Sequence, residues 1–326
     1  MNINKLKQAW YPLLASHQLK DKPIASKLLG QALVLARLNG QAVCFDDCCP
    51  HRHYPLSLGK IVNQRLQCGY HGWQFDATGA VCQISGGMCQ KADGGVQAFA
   101  CHEFDGWIWV CLTQNIPFQA YAEFCTPTGF EHVETTKSLT GDFIHAIENI
   151  LDPTHTAYIH RLLLRNQSAQ AMDIEQTHDQ HSFCTYYRLV QQQNGLINRL
   201  FDKGIHLNEA RFRFPALVSI DYFTPKSHEY RVSVFFIPKD KGEIGLSIRI
   251  HLPKNRIPLT AKIMLLRPFL EMVLYQDKVA IAKQYHTSRY PKQAYQSTVN
   301  DLVIDHLLYL LADAPEGQDK TGRMTL

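Results

Sequence analysis

The sequence lacks long apolar runs, clusters of basic residues and a marked excess of either charge. Its 326 residues include 33 Lys and Arg against 29 Asp and Glu, which gives a net charge of +4. That balance is too mild to indicate a nucleic-acid-binding protein, and no stretch approaches the length of a membrane span. The first residues contain no apolar core of a signal peptide. We therefore expect a cytoplasmic protein that binds neither nucleic acid nor a membrane.

Cysteine is almost missing from the chain after residue 125. Of ten cysteines, nine lie at or before Cys125, and only Cys184 lies beyond it. In a cytosolic chain of this length, cysteines are more typical of metal sites or buried thiols than of a disulfide framework. Chemistry that uses sulfur is therefore expected in the first third of the chain.

The length of the chain and a change of pattern near residue 115 predict two domains. In residues 1–115, short alternating segments are separated by turns. The pair Asn39-Gly40 between two such segments is a strong signal for a β-hairpin. We expect residues 1–115 to form a small all-β domain.

Residues 116–326 combine strand-like segments with helical periodicity. The periodicity is clearest over residues 258–284 and 301–314, and a polar tail follows that is expected to fray. The predicted fold class is α+β, with an all-β domain followed by a domain in which helices cover an antiparallel sheet.

Two short loops contain the residue types that bind metals. Cys49 and His51 form a Cys-x-His pair, and after sixteen intervening residues Cys68 and His71 form a Cys-x-x-His pair. Two thiolates and two imidazoles suit either zinc or a [2Fe–2S] cluster in which two His replace two Cys on one iron. The residues alone leave both metals open.

Neighbouring residues enlarge the choice of ligands. Cys48 precedes the first pair and His53 follows it, while Cys44 and Cys49 have the spacing of a plant-type ferredoxin. The ferredoxin interpretation fails because Arg52 stands where the next cysteine is needed.

A second segment, "ENILDPTHTAYIH", carries Asn149, Asp152, His155 and His160. The spacing from Asp152 to His155 places them on one helical face. His155 and His160, five residues apart, are about 140° apart on an ideal helix and need a bend or a π-bulge to converge on one metal. Pro153 within the run indicates a local irregularity or a helix start. On its own, a pair of histidines here is more often a hydrogen-bonded pair than a metal site.

The first pattern resembles a known family. "CPHR…PLSLG" followed by "CGYHGWQFD" is similar to the two cluster-binding loops of Rieske proteins, and specifically of the Rieske non-haem iron oxygenases. The similarity extends from "WYPLLAS" through "GWIWVCL". It implies that Cys49, His51, Cys68 and His71 bind one [2Fe–2S] cluster, and that Cys48 and His53 are only neighbours.

The second segment resembles the mononuclear iron motif of the same family. The resemblance implies that His155 and His160 bind one Fe(II) per chain. The third ligand is implied in "YQDKVAIAKQ", where Asp277 precedes Gln284 by seven residues and Gln276 stands where relatives often have Glu. Further acidic residues compete for this role; they are Asp301 and Asp305.

Two more site residues follow from the resemblance. Asp152 is implied to connect His71 of one subunit to His155 of the next, which suits a head-to-tail homotrimer. Asn149 resembles an asparagine that lies near the iron in relatives. These two residues complete the candidate catalytic set.

The family resemblance implies a terminal oxygenase, most similar to the vanillate O-demethylase and dicamba demethylase type. No Gly-x-Gly-x-x-Gly fingerprint occurs, so electrons from NAD(P)H are expected to arrive through a separate flavin and iron–sulfur reductase or a ferredoxin. The expected reaction is hydroxylation or O/N-demethylation of a small aromatic substrate with O₂. The alternatives are a ring-dihydroxylating dioxygenase, a Rieske electron-transfer protein without oxygenase activity, and a structural zinc protein.

Overall fold

The computed structural model describes residues 1–84, 94–161, 163, 171–190, 204–288, 298 and 300–325. The chain divides into two compact units. The first contains residues 3–120 and 237–241, and the second contains residues 1–2, 121–236 and 242–326. The domain boundary expected at residue 115 stays a prediction, and the change of unit at residue 120 is compatible with it.

The first unit is built almost entirely from short strands. Its described part includes one short α-helix, α1 (Ile3–Lys7), and its strands form a six-stranded sheet in the order β1-β10-β9-β4-β3-β2 and a four-stranded sheet in the order β5-β6-β7-β8. The strands described here are β1 (Tyr11–Ala15), β2 (Ile24–Leu28), β3 (Gln31–Leu38), β4 (Gln41–Asp46), β5 (Lys60–Val62), β6 (Arg65–Gln67), β7 (Gln74–Phe75), β8 (Val81–Gln83), β9 (Ala98–Phe104) and β10 (Trp107–Cys111).

The hairpin expected at Asn39-Gly40 is confirmed. Leu38 of β3 pairs with Gln41 of β4, so the two residues between them form the whole turn. Asn39 has φ 51° and Gly40 has φ 78°, the positive values that a tight two-residue turn of this kind requires.

Side chains from both sheets share one apolar core. Val34 and Phe45 from the larger sheet and Leu66 and Phe75 from the smaller sheet all have 0% exposure and belong to the same cluster. The loops that follow β4 and β6 are therefore attached to a common, well-buried base.

The second unit contains an eight-stranded sheet with the order β11-β17-β16-β15-β14-β13-β12-β18. Its strands are β11 (Phe130–Thr140), β12 (Ala171–His178), β13 (Ser182–Leu189), β14 (Leu207–Arg213), β15 (Leu217–Phe223), β16 (His228–Asp240), β17 (Glu243–Pro253) and β18 (Thr321–Thr325). The expectation of a frayed tail was wrong, because β18 pairs antiparallel with β12 from Ala171 to Glu175.

The described residues of the second unit include three α-helices. They are α2 (Phe143–Leu151), α3 (Leu259–Ser288) and α4 (Ile304–Ala312). The periodicity predictions over 258–284 and 301–314 are thereby confirmed. Asp142 caps α2, because its side chain accepts hydrogen bonds from the amides of Ile144 and His145 at 3.0 and 3.2 Å. Among the described helices, none has the length and apolar character needed to cross a membrane.

Two ion pairs and one close contact hold α3 against β11 and the chain that follows it. Lys137 of β11 lies 2.7 Å from Glu271, and Lys262 of α3 lies 2.6 Å from Glu131. Near the end of β11, a Cβ atom added at Gly141 would fall far inside van der Waals contact with Ile281. Since Ile281 is one helical turn beyond Asp277, this contact helps to fix where Asp277 lies.

Replacing Gly141 with Ala should destabilise the second unit by about 1–3 kcal/mol, because the added methyl overpacks the contact with Ile281. Thermal unfolding followed by circular dichroism measures the change. In an Ile281→Ala background the same replacement should cost far less, since the clashing side-chain atoms are gone. Equal destabilisation in both backgrounds would contradict the role of this contact.

Candidate metal centres

The two cysteines of the first motif begin loops of the same construction. The amide of Cys49 donates to the carbonyl five residues further on at 2.9 Å, and its carbonyl accepts from the amide of His53 at 2.8 Å. The amide of Cys68 donates to the carbonyl five residues further on at 2.8 Å, and its carbonyl accepts from the amide of Gly72 at 3.1 Å. The sequence therefore builds two matching loops, each with a cysteine at its base.

The matching construction explains why His53 stands beside the motif. His53 has φ 57° and Gly72 has φ 71°, so both fourth positions after the cysteine adopt the left-handed conformation. Glycine adopts this conformation freely, and among other residues histidine is one of those enriched there. His53 is exposed, and its position is set by the backbone of the loop.

The four expected cluster residues lie together, with the thiols buried and the imidazoles nearer to solvent. Cys49 and Cys68 are 1% and 3% exposed and belong to the apolar core cluster. The ring centroids of His51 and His71 are 4.7 Å apart, and His51 also stacks on Trp73 at 4.7 Å with an interplanar angle of 5°. The structure thus brings all four residues to one end of the first unit.

The spacing of these four residues fits two metal ions better than one. Burial raises the pKa of the Cys49 thiol to about 11, so a positive partner is needed to hold it as a thiolate. A single tetrahedral ion draws its ligand atoms close together. In the described part of the chain, the groups of three ligand atoms that lie within 4.8 Å of one another do not include this set. A two-iron cluster with two sulfur and two nitrogen ligands matches the donors.

The second motif does not lie on one helix, contrary to the simplest expectation. Helix α2 ends at Leu151, Asp152 has extended backbone (φ −88°, ψ 115°), and a 3₁₀ helix follows over Thr154–Ala157. The physical reason is Pro153, which cannot continue the hydrogen-bonded ladder of a helix. The break lets His155 and His160 converge, and their ring centroids are 5.1 Å apart.

Each of the two histidines is oriented by a hydrogen bond at Nδ1. His155 Nδ1 donates to the backbone carbonyl of Asp152 at 2.7 Å. His160 Nδ1 lies 2.8 Å from Gln276 Oε1, to which it donates. With Nδ1 carrying a proton in both rings, Nε2 is the nitrogen left to face the carboxylate, and His160 Nε2 and His155 Nε2 lie 3.0 and 3.6 Å from Asp277 Oδ1. In the neutral ring, this Nε2 carries the lone pair that a metal ion would use.

Asp277 is the acidic residue that joins the two histidines. The ligand atoms of His155, His160 and Asp277 all lie within 4.8 Å of one another. Asn149 Nδ2 donates to Asp277 Oδ1 at 3.0 Å, which holds the carboxylate toward the rings. Two imidazoles and one carboxylate are the donor set of a mononuclear non-haem iron site, so the group fits that metal.

The two competing acidic residues lie elsewhere. The carboxylate of Asp301 accepts from the amide of Thr298, and that of Asp305 lies 3.5 Å from Lys320 Nζ. Neither belongs to the group of ligand atoms around His155 and His160.

Burial and charge act differently on the two rings. Burial lowers the pKa of His155, and the charge of Asp277 offsets this only in part. Burial also lowers the pKa of His160, but the hydrogen bond and the charge of Asp277 outweigh it, so the pKa is raised overall. The difference arises because His160 lies closer to the carboxylate.

Asp152 contacts His155 in a way the sequence did not predict. The contact runs through the backbone carbonyl of Asp152, whereas its carboxylate accepts from the amide of Thr154 at 2.9 Å and from the Thr154 hydroxyl. Such a turn, closed by the side chain over the next residues, is typical of Asp. Within one chain, the hydrogen bond between Asp152 and His155 is therefore made by the carbonyl, and the carboxylate acts on the ring through its charge.

Gln276 is a site residue whose role the sequence left unassigned. It was noted only as a departure from the glutamate that relatives often carry before Asp277. Its hydrogen bond to His160, a residue that is 1% exposed, shows that the amide supplies the acceptor a buried ring needs. Its position directly before Asp277 was the feature of the sequence that could have indicated this role.

Two family models match the chain. Residues 9–99 match the Rieske [2Fe-2S] domain. Residues 142–306, slightly more than half of the chain, match the Vanillate O-demethylase oxygenase C-terminal domain. The first match contains both cysteine loops, and the second contains the two histidines and the acidic residue.

Curated proteins similar to this chain include oxygenases. Chlorophyllide a oxygenase, chloroplastic, from Chlamydomonas reinhardtii is 38% identical over 160 residues, which cover 48% of this chain and 24% of that protein. The oxygenase component of dicamba O-demethylase from Stenotrophomonas maltophilia is 30% identical over 168 residues, which cover 48% of each chain. The matched stretches therefore span at most about half the length of these relatives.

Among solved structures, the crystal structure of dicamba monooxygenase bound to dicamba has a TM-score of 0.78 to this chain. It is 18% identical, and the match covers 94% of this chain and 97% of that one. This likeness confirms the α+β fold expected from the sequence. With its Rieske domain followed by an oxygenase domain of the vanillate O-demethylase type, the chain belongs to the Rieske oxygenases, which implies a [2Fe–2S] cluster and a mononuclear iron.

Proposed function

We propose that the chain is a terminal oxygenase that hydroxylates or O/N-demethylates a small aromatic substrate with O₂. Electrons come from NAD(P)H through a separate flavin and iron–sulfur reductase or a ferredoxin. The observation that carries the proposal is that one chain holds both a Cys₂His₂ set and a His₂Asp set, in domains that match the two halves of this family. When bound, the cluster supplies one-electron transfer and the iron supplies O₂ activation.

In the first unit, Cys49 and Cys68 hold one iron of the cluster, and His51 and His71 hold the other. Support comes from the burial of the thiols and the placement of the imidazoles nearer to solvent. The imidazoles suit an electron exit. Electron transfer needs a short distance, and a partner can come closest to the cluster on the side that the imidazoles expose.

In the second unit, His155, His160 and Asp277 hold the iron. The carbonyl of Asp152 and the amide of Gln276 fix the protons of the two rings on Nδ1, and Asn149 orients the carboxylate. These partners act before the metal binds, because they leave each Nε2 free to coordinate. A preorganised set of three donors leaves coordination positions for O₂ and for the approach of substrate.

Demethylation is favoured over ring dihydroxylation by the names of the relatives. The relatives of this chain include oxygenase components of dicamba O-demethylase and vanillate O-demethylase, and an N1-demethylase of methylxanthines. Each of these names describes removal of a methyl group from an aromatic compound. A Rieske protein that only transfers electrons would have no use for the group formed by His155, His160 and Asp277.

A head-to-tail homotrimer is part of the same proposal. Exposed apolar side chains flank both candidate centres. Leu58 and Tyr70, 65% and 59% exposed, lie near His71 in the loops of the first unit, and Tyr158 and Ile159, 70% and 37% exposed, follow the iron-binding turn in the second. Such patches are typical of surfaces that a partner covers. If the patch near His71 of one subunit contacted the patch around Tyr158 of the next, the cluster of the first subunit would lie near the iron of the second.

The cytoplasm is the compartment in this proposal. Apart from the two cluster residues, the buried cysteines Cys44, Cys111 and Cys184 carry thiols that are not linked in disulfides. Unlinked thiols suit a reducing compartment.

Turnover by the wild-type chain and its loss in His155→Ala provide the main test. With a surrogate reductase and a panel of methylated aromatic compounds, the wild type should couple NADH oxidation to product. The His155→Ala chain should keep the Rieske EPR signal of its reduced cluster, lose about one iron per chain, and form no product. The matched control is His286→Ala, which removes an exposed histidine of α3. Product formation by His155→Ala, or absence of the EPR signal from the wild type, would refute the assignment.

Replacing Gln276 should weaken iron binding through His160. In Gln276→Ala, the His160 Nδ1–H loses its acceptor, so iron affinity should fall about 10–100-fold. Gln276→Glu keeps an acceptor and should bind iron nearly as well as the wild type. Iron retained during competition with a chelator measures the effect, and Gln284→Ala changes an exposed glutamine of the same helix as control. If Gln276→Ala retained iron like the wild type, the hydrogen bond would have no role.

Replacing Asp152 with Asn should slow electron transfer while both metals stay bound. The backbone carbonyl that contacts His155 is unchanged, and the Asn side chain can still accept from the amide of Thr154. What is lost is the negative charge beside His155, and we propose that this charge links the two metal centres by also facing His71 of the neighbouring subunit. The rate at which the reduced cluster is oxidised in a single turnover measures it, with the surface variant Asp173→Asn as control. A wild-type rate would argue against the bridge.

A further inference from the structure

A second group of potential metal ligands lies in the second unit, away from the residues assigned above. His178 ends β12, His306 lies in α4, and Asp319 lies in the segment that joins α4 to β18. Their ligand atoms all lie within 4.8 Å of one another. The ring centroids of the two histidines are 5.1 Å apart. Elements distant in the sequence thus bring two imidazoles and a carboxylate to one point.

Two carboxylates face His178 from the C-terminal segment. His178 Nδ1 lies 2.8 Å from Asp319 Oδ1, and its Nε2 lies 3.1 Å from Glu316 Oε1. Asp319 Oδ1 also lies 3.6 Å from Nε2 of His306. One oxygen of Asp319 therefore lies near a ring nitrogen of each histidine, so one metal ion could contact all three atoms.

His306 supplies the observation that an ion pair alone does not explain. It is 1% exposed, yet its Nε2 has no hydrogen-bond partner among the described residues. Its ring stacks on Phe183 at 5.1 Å, which fixes its orientation. Leaving a buried polar atom without a partner is costly, and such atoms call for an explanation such as a bound ion.

The C-terminal segment is shaped to approach this histidine. A Cβ atom at Gly317 would come within 3.0 Å of His306 Nδ1 and of the His306 backbone nitrogen. Since nine in ten Cβ contacts are longer than this, a larger residue at this position would force the segment or the ring to shift. Gly317 lies between Glu316 and Asp319, so this approach is what brings the two acidic residues to the rings.

We propose that His178, His306 and Asp319 bind a divalent cation of the zinc class, while Glu316 faces the other nitrogen of His178 and orients its ring. Two imidazoles favour zinc and its neighbours over magnesium or calcium, which prefer oxygen ligands alone. Side-chain exposures of 25% at His178 and 35% at Asp319 leave a path by which the ion enters.

The bound ion ties the end of the chain to the sheet. β18 is an edge strand of five residues, and it begins two residues after Asp319. A cross-link from its approach segment to β12 and α4 reduces the entropy that this strand loses when it docks, as other metal clips do. The ion is structural, and it plays no part in the reaction proposed for His155, His160 and Asp277.

Zinc binding to the full-length chain tests the proposal. The measurement uses the cluster-containing His155→Ala/His160→Ala chain, so that the iron site does not compete, and adds Zn²⁺ alone in equilibrium dialysis with elemental analysis. We expect one Zn²⁺ per chain. Adding His306→Gln or Asp319→Asn should lower the zinc affinity at least about tenfold, whereas adding His181→Ala, which removes an exposed histidine of the same hairpin, should not.

A second measurement follows the consequence for the fold. In hydrogen exchange, Zn²⁺ should increase the protection of the amides of residues 321–325, and Asp319→Asn should abolish that increase. Because Asp319 is exposed, this variant keeps the fold even where His306→Gln does not. Failure to bind Zn²⁺, or binding that neither variant weakens, would overturn the proposal and would leave the oxygenase assignment untouched.

Discussion

The candidate active site depends on one constraint, which is that each iron-binding imidazole has its Nδ1 proton held by a fixed acceptor. For His155 the acceptor is a backbone carbonyl at the end of α2, and for His160 it is the side chain of Gln276. Because a proton is held on the far nitrogen, both Nε2 atoms are left to face Asp277. The interruption of the helix at Pro153 brings the first acceptor into place, and the packing of α3 against β11 brings the second.

The constraint also explains why the two acceptors are of different kinds. His155 follows Asp152 by three residues, so the local turn itself supplies a carbonyl in reach. His160 lies beyond the turn and is 1% exposed, so it needs an acceptor from another element, and α3 provides it next to Asp277. One helix thus delivers both a ligand and the residue that orients another ligand, which couples the two functions to the packing of α3.

Much of this arrangement could be predicted from the sequence, because short motifs encode it locally. The Asn39-Gly40 turn and the helices α3 and α4 follow from residue types and spacing. The family resemblance added the grouping of His155 and His160 with Asp277, and the choice of Asp277 over Asp301 and Asp305, which spacing alone does not decide. These features share a property: the signal lies within a few residues or within a motif of fixed length.

The features that the sequence did not reveal depend on contacts between distant segments. Strand β11 has one buried apolar residue, Leu139, so it lacks the alternation that marks a half-buried strand. The polar tail forms β18 because β12 offers an unpaired edge, not because its own residues favour a strand. The carboxylate of Asp152 is an exception with a local cause, since its turn over Thr154 competes with the longer reach that the family resemblance implied.

The two histidine groups of the second unit share one design, in which a carboxylate oxygen lies near two imidazoles. At His155 and His160, both Nδ1 atoms have fixed acceptors, and the Nε2 atoms lie 3.6 and 3.0 Å from Asp277 Oδ1. At His306, the buried Nε2 has no hydrogen-bond partner among the described residues and lies 3.6 Å from Asp319 Oδ1, and the C-terminal segment approaches the same ring at Gly317. In the two proposals, the same set of two imidazoles and a carboxylate serves oxygen activation at one site and attachment of the C-terminal strand at the other.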